Sequence, residues 1–192
     1  MKKEQLIVPR EKYLSAGVHI GMNSKTADMK RFIYKIRPNG LAVLNIGTLD
    51  KRIGYAAQLL AEKKSILIVS KKDIGIEPAK MFAKAAGAKA ITGRFMPGTL
   101  TNPSYERFTE PDALIVTDPQ ADSQAITEAR QMKIPIIGIC DTFNETKFID
   151  LVLPANNKGK KSVALILWAI AKTMAELKGE AFDIEPEEFG YE

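Results

Sequence analysis

The hydrophobic positions of this chain fall into short runs that are separated by longer amphipathic stretches. Six runs are predicted as strands, at residues 41–46, 65–70, 88–92, 112–117, 135–140 and 150–154. The middle runs are apolar without alternation, which is typical of parallel strands covered on both faces. Because strands alternate with amphipathic stretches, the pattern predicts an α/β fold with a doubly wound, mostly parallel sheet of about five strands and helices on both faces.

The amphipathic stretches carry the boundary signals of helices. Four helices are predicted, at residues 48–64, 77–88, 121–133 and 161–178. Thr48 is the expected N-cap of the first helix, Asp122 or Ser123 caps the third, and Gly179 ends the fourth. This order of elements predicts a flavodoxin-like domain over residues 38–179. A basic N-terminal arm with a short helix (1–37) and an acidic C-terminal tail (180–192) flank it.

The connection at residues 94–111 breaks this alternation, because its prolines and Gly98 are incompatible with a helix. Long connections without secondary structure are uncommon inside compact domains and are usually functional. The segment mixes two arginines and three aromatic residues with hydrogen-bonding side chains: Arg94, Phe95, Thr99, Thr101, Asn102, Tyr105, Arg107 and Phe108. It is therefore predicted to be a binding loop in which Gly98 lets the backbone approach a ligand. The alternative is that the aromatic side chains pin an extended crossover to the sheet.

Composition narrows the class of protein. The single cysteine, Cys140, excludes a disulfide framework and a cysteine-based zinc site. The N-terminus does not resemble a signal peptide, and the longest apolar run is about half of what a bilayer requires. We therefore expect a cytoplasmic protein without a membrane partner.

Two aspartates raise the possibility of an enzyme. Asp118 and Asp141 each follow a predicted strand, at the edge of the sheet where α/β enzymes place their active sites. Such a pair is able to hold magnesium beside a phosphate, so a magnesium-dependent phosphate-handling enzyme is the alternative hypothesis. However, no dinucleotide fingerprint, complete P-loop or nucleophile elbow accompanies them. Aspartates after strands are also ordinary turn and cap residues. We predict no enzyme activity, no cofactor and no small-molecule substrate.

Basic side chains instead gather in three separate segments. Residues 1–37 hold nine lysines and arginines against three acids, the loop 94–111 opens with an arginine, and a lysine-rich turn precedes the last helix. The predicted RNA-binding lysines and arginines are Lys25, Lys30, Arg31, Lys35, Arg37, Arg94, Lys158, Lys160 and Lys161. Three basic segments without a catalytic centre favour docking on folded RNA through its phosphates. The alternative is a solvated, lysine-rich surface, since the net charge is only +5.

Four segments, in this order and spacing, resemble the small-subunit ribosomal protein S2 family. They are AGVHIG (16–21), RFMPGTLTNP (94–103), PDALIVTDP (111–119) and IPIIGICDT (134–142). NNKGKKSVALILWAIAK extends the resemblance, so that it covers residues 11–178. The resemblance implies a five-stranded parallel sheet and a structural constituent of the small ribosomal subunit. It also implies contacts with ribosomal RNA and neighbouring small-subunit proteins near the junction of head and body.

Contact positions can be carried over from these motifs. The resemblance implies RNA contacts at His19, Arg94, Phe95, Gly98, Thr99, Thr101 and Asn102. Bacterial members carry a long helical hairpin after the threonine-rich loop, whereas only seven residues separate TNP from PDAL here. Met22 stands where bacterial members usually have a histidine, so the resemblance is to the archaeal type. A free RNA-binding or membrane-adhesion factor remains a third hypothesis.

Overall fold

Residues 6–191 of the 192-residue chain are described by a computed structural model. Its strands are β1 (Ile33–Ile36), β2 (Ala42–Leu44), β3 (Ile66–Ser70), β4 (Lys89–Thr92), β5 (Ala113–Val116), β6 (Ile136–Cys140) and β7 (Leu151–Pro154). Its α-helices are α1 (Arg10–Ser15), α2 (Ile46–Ala61), α3 (Ile76–Ala86), α4 (Ser123–Gln131) and α5 (Lys160–Lys178). Short 3₁₀ turns occur at Lys30–Phe32, Asp73–Gly75 and Pro186–Phe189.

The last five strands form one parallel sheet in the order β4-β3-β5-β6-β7. This is the strand order of the flavodoxin-like doubly wound fold, and it confirms the predicted fold class. Strands β3, β5 and β6 are buried at every position because both faces of the sheet are covered. This burial on both faces explains why apolar and polar residues do not alternate in these strands.

The two faces of the sheet are covered differently. On one face, α2, α3 and α5 pack in a single hydrophobic cluster with side chains such as Ile68 and Ile115. On the other face, α4 shares the cover with the loop 94–111, whose Phe95 and Leu100 pack against Val69 and the neighbouring strands. The loop thus takes the place that a helix would have in a regular α/β crossover.

The first of the six predicted strands lies outside this sheet. Residues 42–44 pair antiparallel with β1, which the sequence pattern missed, and form a separate two-stranded hairpin. Its turn is closed by a hydrogen bond from the Gly40 N–H to the Arg37 carbonyl, 2.9 Å long, with Gly40 at φ +83°. Met29 and Phe32 beside the hairpin pack with Cys140.

The observed helices differ from the predicted ones by at most three residues at either end. Thr48 was the wrong N-cap. Asn45 occupies that position, and its Oδ1 accepts the Thr48 N–H at 3.3 Å. Asp122 precedes α4 as expected, but its carboxylate accepts from the Lys71 N–H at 2.9 Å instead of capping the helix. Gly179 ends α5 in the left-handed conformation, which confirms that prediction.

Parts of the N-terminal arm and of the acidic tail belong to the main core. Val8 and Tyr13 are fully buried in the cluster that contains α5, and α1 is the short helix expected in the arm. In the tail, Phe189 is fully buried and Ile184 accepts a 2.8 Å hydrogen bond from the Trp168 indole. The division into arm, domain and tail stays a prediction.

Candidate nucleic-acid interface

The loop 94–111 contains turns but neither helix nor strand. Leu100 is fully buried, and Phe95 is only 7 % exposed. Phe95, expected to contact RNA, therefore lies under the loop, as in the alternative in which aromatic residues pin the crossover to the sheet. The Thr99 side chain is also buried, and its hydroxyl donates to the Met96 carbonyl at 2.6 Å. Arg94 and Asn102 are exposed.

A buried carboxylate on α4 fixes the loop, and the sequence analysis missed it. Glu128 is 3 % exposed. Its Oε1 accepts the Gly98 N–H at 2.9 Å, and its Oε2 accepts the Leu100 N–H at 3.0 Å. The Thr101 hydroxyl and the Gln124 side-chain amide complete its set of donors. Bonds to an ionised acceptor are stronger than neutral ones, so the loop is held rigidly by α4.

Gly98 has the backbone conformation that the sequence suggested. Its φ is +91°, and a Cβ at this position would lie 3.3 Å from the Cβ of Asn102. The Asn102 N–H donates to the Gly98 carbonyl at 3.0 Å, which closes the turn. Glycine is therefore required both by the torsion angle and by the close approach of Asn102.

An open groove of about 550 Å³ lies between the loop and the edge strand β4. Arg94, Arg107 and Lys89 contribute cations to its lining, and Tyr105 and Phe108 contribute aromatic surface. None of these cations forms a salt bridge with a carboxylate in residues 6–191, although Lys89 donates to the Thr109 hydroxyl at 3.3 Å. Cations beside half-buried aromatic rings suit the phosphates and bases of a nucleic acid.

The basic residues of the arm and hairpin have different roles in the folded chain. Lys25 donates to the carbonyls of Asn23 at 2.8 Å and Gly40 at 3.0 Å, so its ammonium ties the arm to the hairpin turn. Arg31 lies over the ring of Phe32, with 4.8 Å between the guanidinium carbon and the ring centroid. Lys30, Lys35 and Arg37 are exposed.

His19 is nearly buried at the base of a second groove, which Lys35 and Arg37 also line. Burial lowers the pKa of its imidazole, the charge of Arg37 lowers it further, and a hydrogen bond to the Tyr13 carbonyl opposes both effects. His19 is consequently neutral at physiological pH.

The three lysines at the start of α5 differ in their contacts. Lys158 lies over the Phe143 ring at 4.4 Å from its centroid, and Lys160 pairs with Glu77 at 2.5 Å. Lys161 is exposed. The structure therefore brings His19, Lys35 and Arg37 into one groove and Arg94 and Thr99 into another, while these lysines line neither.

The two aspartates at the carboxyl ends of the strands are engaged in turns. Asp118 Oδ1 accepts the Gln120 N–H at 3.0 Å and the Asn144 amide at 3.1 Å, and its Oδ2 pairs with Lys72. Asp141 Oδ1 accepts the Thr142 N–H at 2.6 Å, and burial raises the pKa of this carboxyl. These contacts agree with the alternative in which both aspartates are ordinary turn residues.

These features define an α/β protein whose accessible chemistry lies on loops and hairpins outside the sheet. Comparison with known families agrees: the ribosomal protein S2 model matches residues 13–107 and 104–177. The chain belongs to the ribosomal protein S2 family and is a small-subunit ribosomal protein that takes part in translation. Its family is structural rather than enzymatic. None of the helices within residues 6–191 is long and apolar enough to cross a membrane.

Proposed function

We propose that the chain docks on ribosomal RNA of the small subunit near the junction of head and body. The contacts are the groove beside the loop 94–111, the arm with the β1–β2 hairpin, and the turn before α5. Neighbouring small-subunit proteins cover other parts of its surface. In this role the cytoplasmic protein needs no cofactor, membrane or small-molecule substrate.

The observation that carries the proposal is the rigid loop with its cations directed to an open groove. Glu128 holds the loop backbone by two hydrogen bonds of about 3 Å, so Arg94 and Arg107 start from a fixed framework. A pre-ordered loop loses little conformational entropy when RNA binds. Arginine in addition forms charge-assisted, often bidentate bonds with phosphates.

We further propose that the chain is of the archaeal type. The support is the short path from Asn102 to Pro111, which contains turns where bacterial members insert a helical hairpin. A protein that docks on the bacterial hairpin would have no equivalent surface here.

Co-sedimentation with small ribosomal subunits lacking this protein tests the docking. The chain should bind at moderate salt and dissociate at high salt, because the contacts release counterions from phosphates. A chain that binds isolated RNA but never joins subunits would instead be a free RNA-binding factor.

Arg94→Ala should lower subunit occupancy and reduce the salt slope of RNA binding by about one. Its thermal unfolding should stay within about 0.5 kcal/mol of the wild type, because Arg94 is exposed. Lys84→Ala is the matched control, since it removes an exposed cation of α3 that does not line the groove. Normal assembly of Arg94→Ala together with early unfolding would make Arg94 a structural residue.

A further inference from the structure

The groove that contains His19 combines two kinds of recognition chemistry. It has a volume of about 560 Å³, within the usual range of ligand sites, and is open to solvent. The arm contributes Arg10 and His19, the hairpin contributes Lys35 and Arg37, and the start of α2 contributes residues 45–47.

The start of α2 offers unpaired backbone donors. Asn45 satisfies the Thr48 N–H through its side chain and the Leu49 N–H through its carbonyl. The N–H groups of Ile46 and Gly47 have no partner among residues 6–191. Such amides at the N-terminus of a 16-residue helix attract an anion.

No carboxylate competes for these amides. The first turn of α2 has no acidic residue. Asp50 lies one turn further along, but its Oδ1 accepts the Ile7 N–H at 3.0 Å and the Tyr13 hydroxyl at 2.8 Å. Three exposed cations surround the groove instead: Arg10, Lys35 and Arg37.

His19 adds a second feature to the groove, a buried ring nitrogen that lacks a hydrogen-bond partner among residues 6–191. The residue is 8 % exposed, and its Nδ1 has no hydrogen-bond partner in residues 6–191. A ring nitrogen of neutral histidine either donates or accepts a hydrogen bond, depending on which nitrogen carries the proton. A buried polar atom without a partner costs free energy. A phosphate oxygen only accepts and so satisfies Nδ1 in one tautomer, whereas a hydroxyl both donates and accepts and satisfies it in either.

We propose that this groove holds one backbone unit of an RNA strand, with a phosphate on the Ile46 and Gly47 amides and the adjacent ribose 2′-hydroxyl hydrogen-bonded to Nδ1 of His19. Arg10, Lys35 and Arg37 neutralise the phosphate. The inference rests on the proposed docking on ribosomal RNA. It names the chemical unit of the RNA that this groove binds. The lining also includes Tyr34, whose side chain is 69 % exposed.

The hydroxyl is what separates RNA from DNA at such a site. Binding of the full chain should therefore be compared, by fluorescence anisotropy, for an RNA oligonucleotide, its 2′-O-methyl form and DNA of the same sequence. The wild type should bind the RNA about fivefold more tightly than the other two, the effect of about one hydrogen bond. The 2′-O-methyl strand tests the hydroxyl without any change in the protein.

Two variants assign the preference to this groove. His19→Leu should remove the preference for RNA over the 2′-O-methyl form, while His19→Gln, which keeps an acceptor, should retain part of it. Arg37→Gln should weaken all three strands alike and lower the salt slope by about one. Lys84→Gln, outside the groove, should change neither quantity. Inorganic phosphate should compete only weakly, since it lacks the ribose hydroxyl.

Two outcomes would overturn the inference. The first is equal binding of RNA and its 2′-O-methyl form by the wild type, and the second is an unchanged preference in a folded His19→Leu. If the chain nevertheless joins small subunits, the proposed function survives and only the groove assignment is wrong. Failure to join subunits and to bind any strand overturns both.

Discussion

Glu128 should be the residue on which the order of the loop 94–111 depends most. Its two carboxylate oxygens accept the N–H groups of Gly98 and Leu100 at 2.9 and 3.0 Å. Replacement by glutamine keeps the shape of the side chain but converts one oxygen into an NH₂ group. In either orientation of the new amide, that NH₂ group faces one of the two backbone donors.

The size of the effect follows from two opposing terms. A hydrogen bond to a charged group contributes about 1.5–3 kcal/mol, and the displaced N–H is left unsatisfied under the loop. Against this, glutamine removes the cost of burying a charge. Since the carboxylate already has four donors within 3.5 Å, the loss should dominate. We expect Glu128→Gln to lower the free energy of unfolding by about 2 kcal/mol.

Chemical denaturation measures this change, and amide hydrogen exchange locates it. The Gly98 and Leu100 amides should exchange faster in Glu128→Gln because the loop opens locally. The amides of strands β3 and β5 should still exchange only through global unfolding. Glu110→Gln is the control because Glu110 belongs to the same segment and is exposed. If Glu128→Gln has the same free energy of unfolding as the wild type and both amides stay protected, the carboxylate does not order the loop.

Three further changes test other parts of the structure. Gly98→Val should lower the stability measured by thermal unfolding by about 1–3 kcal/mol and reduce subunit occupancy, since φ is +91°. Wild-type stability and occupancy would show that valine is not strained at this position. Phe189→Ala should cost about 3–5 kcal/mol if the fully buried ring joins the tail to the core, and exposed Phe148→Ala is the control. Burial raises the pKa of Asp122 to about 6, so the folded state binds its proton more tightly than the unfolded state. Stability should then fall as pH rises from 4 to 6, by about 3 kcal/mol, and Asp122→Asn should lose this slope in urea titrations.

The main sheet could be predicted because its information is local. Its central strands β3, β5 and β6 are runs of mostly apolar residues that are buried on both faces, so burial and sequence pattern coincide. The positive φ of Gly98 followed equally from the Pro97–Gly98 dipeptide.

The hairpin could not be predicted in the same way. Strand β1 is partly or fully exposed at all four positions, and Tyr34 and Ile36 are exposed hydrophobic residues without alternation. Its pairing with β2 depends on the Arg37–Gly40 turn and on packing beneath it, not on an apolar pattern. Cap choice failed for a related reason: Asn45 and Thr48 are both good N-caps, and propensity does not decide between them.

The candidate site was predicted only in part, because residue type alone does not show which side chains of an irregular loop are buried and which are exposed. Phe95 and Tyr105 look alike in a segment without periodicity, yet one is buried and the other lines a groove. Glu128 did leave a signal, because it lies on the buried stripe of α4 between Ile126 and Ala129. An acid on an apolar stripe indicates a buried partner, which here is the backbone of a distant loop.

The arm packs against the carboxyl end of β6, where the residues that follow the strand hold it by side-chain hydrogen bonds. Thr142 Oγ1 accepts the Met22 N–H at 2.9 Å and donates to the Ser24 carbonyl at 3.1 Å, so the arm covers this strand end. Gly21 sits so close that a Cβ would approach the Thr142 methyl group to 2.5 Å. Asp141, the residue before Thr142, is only 1 % exposed. The same contacts anchor the segment that carries His19, and they leave its groove facing solvent. The contacts that cover the end of β6 therefore also position the groove for which RNA docking is proposed.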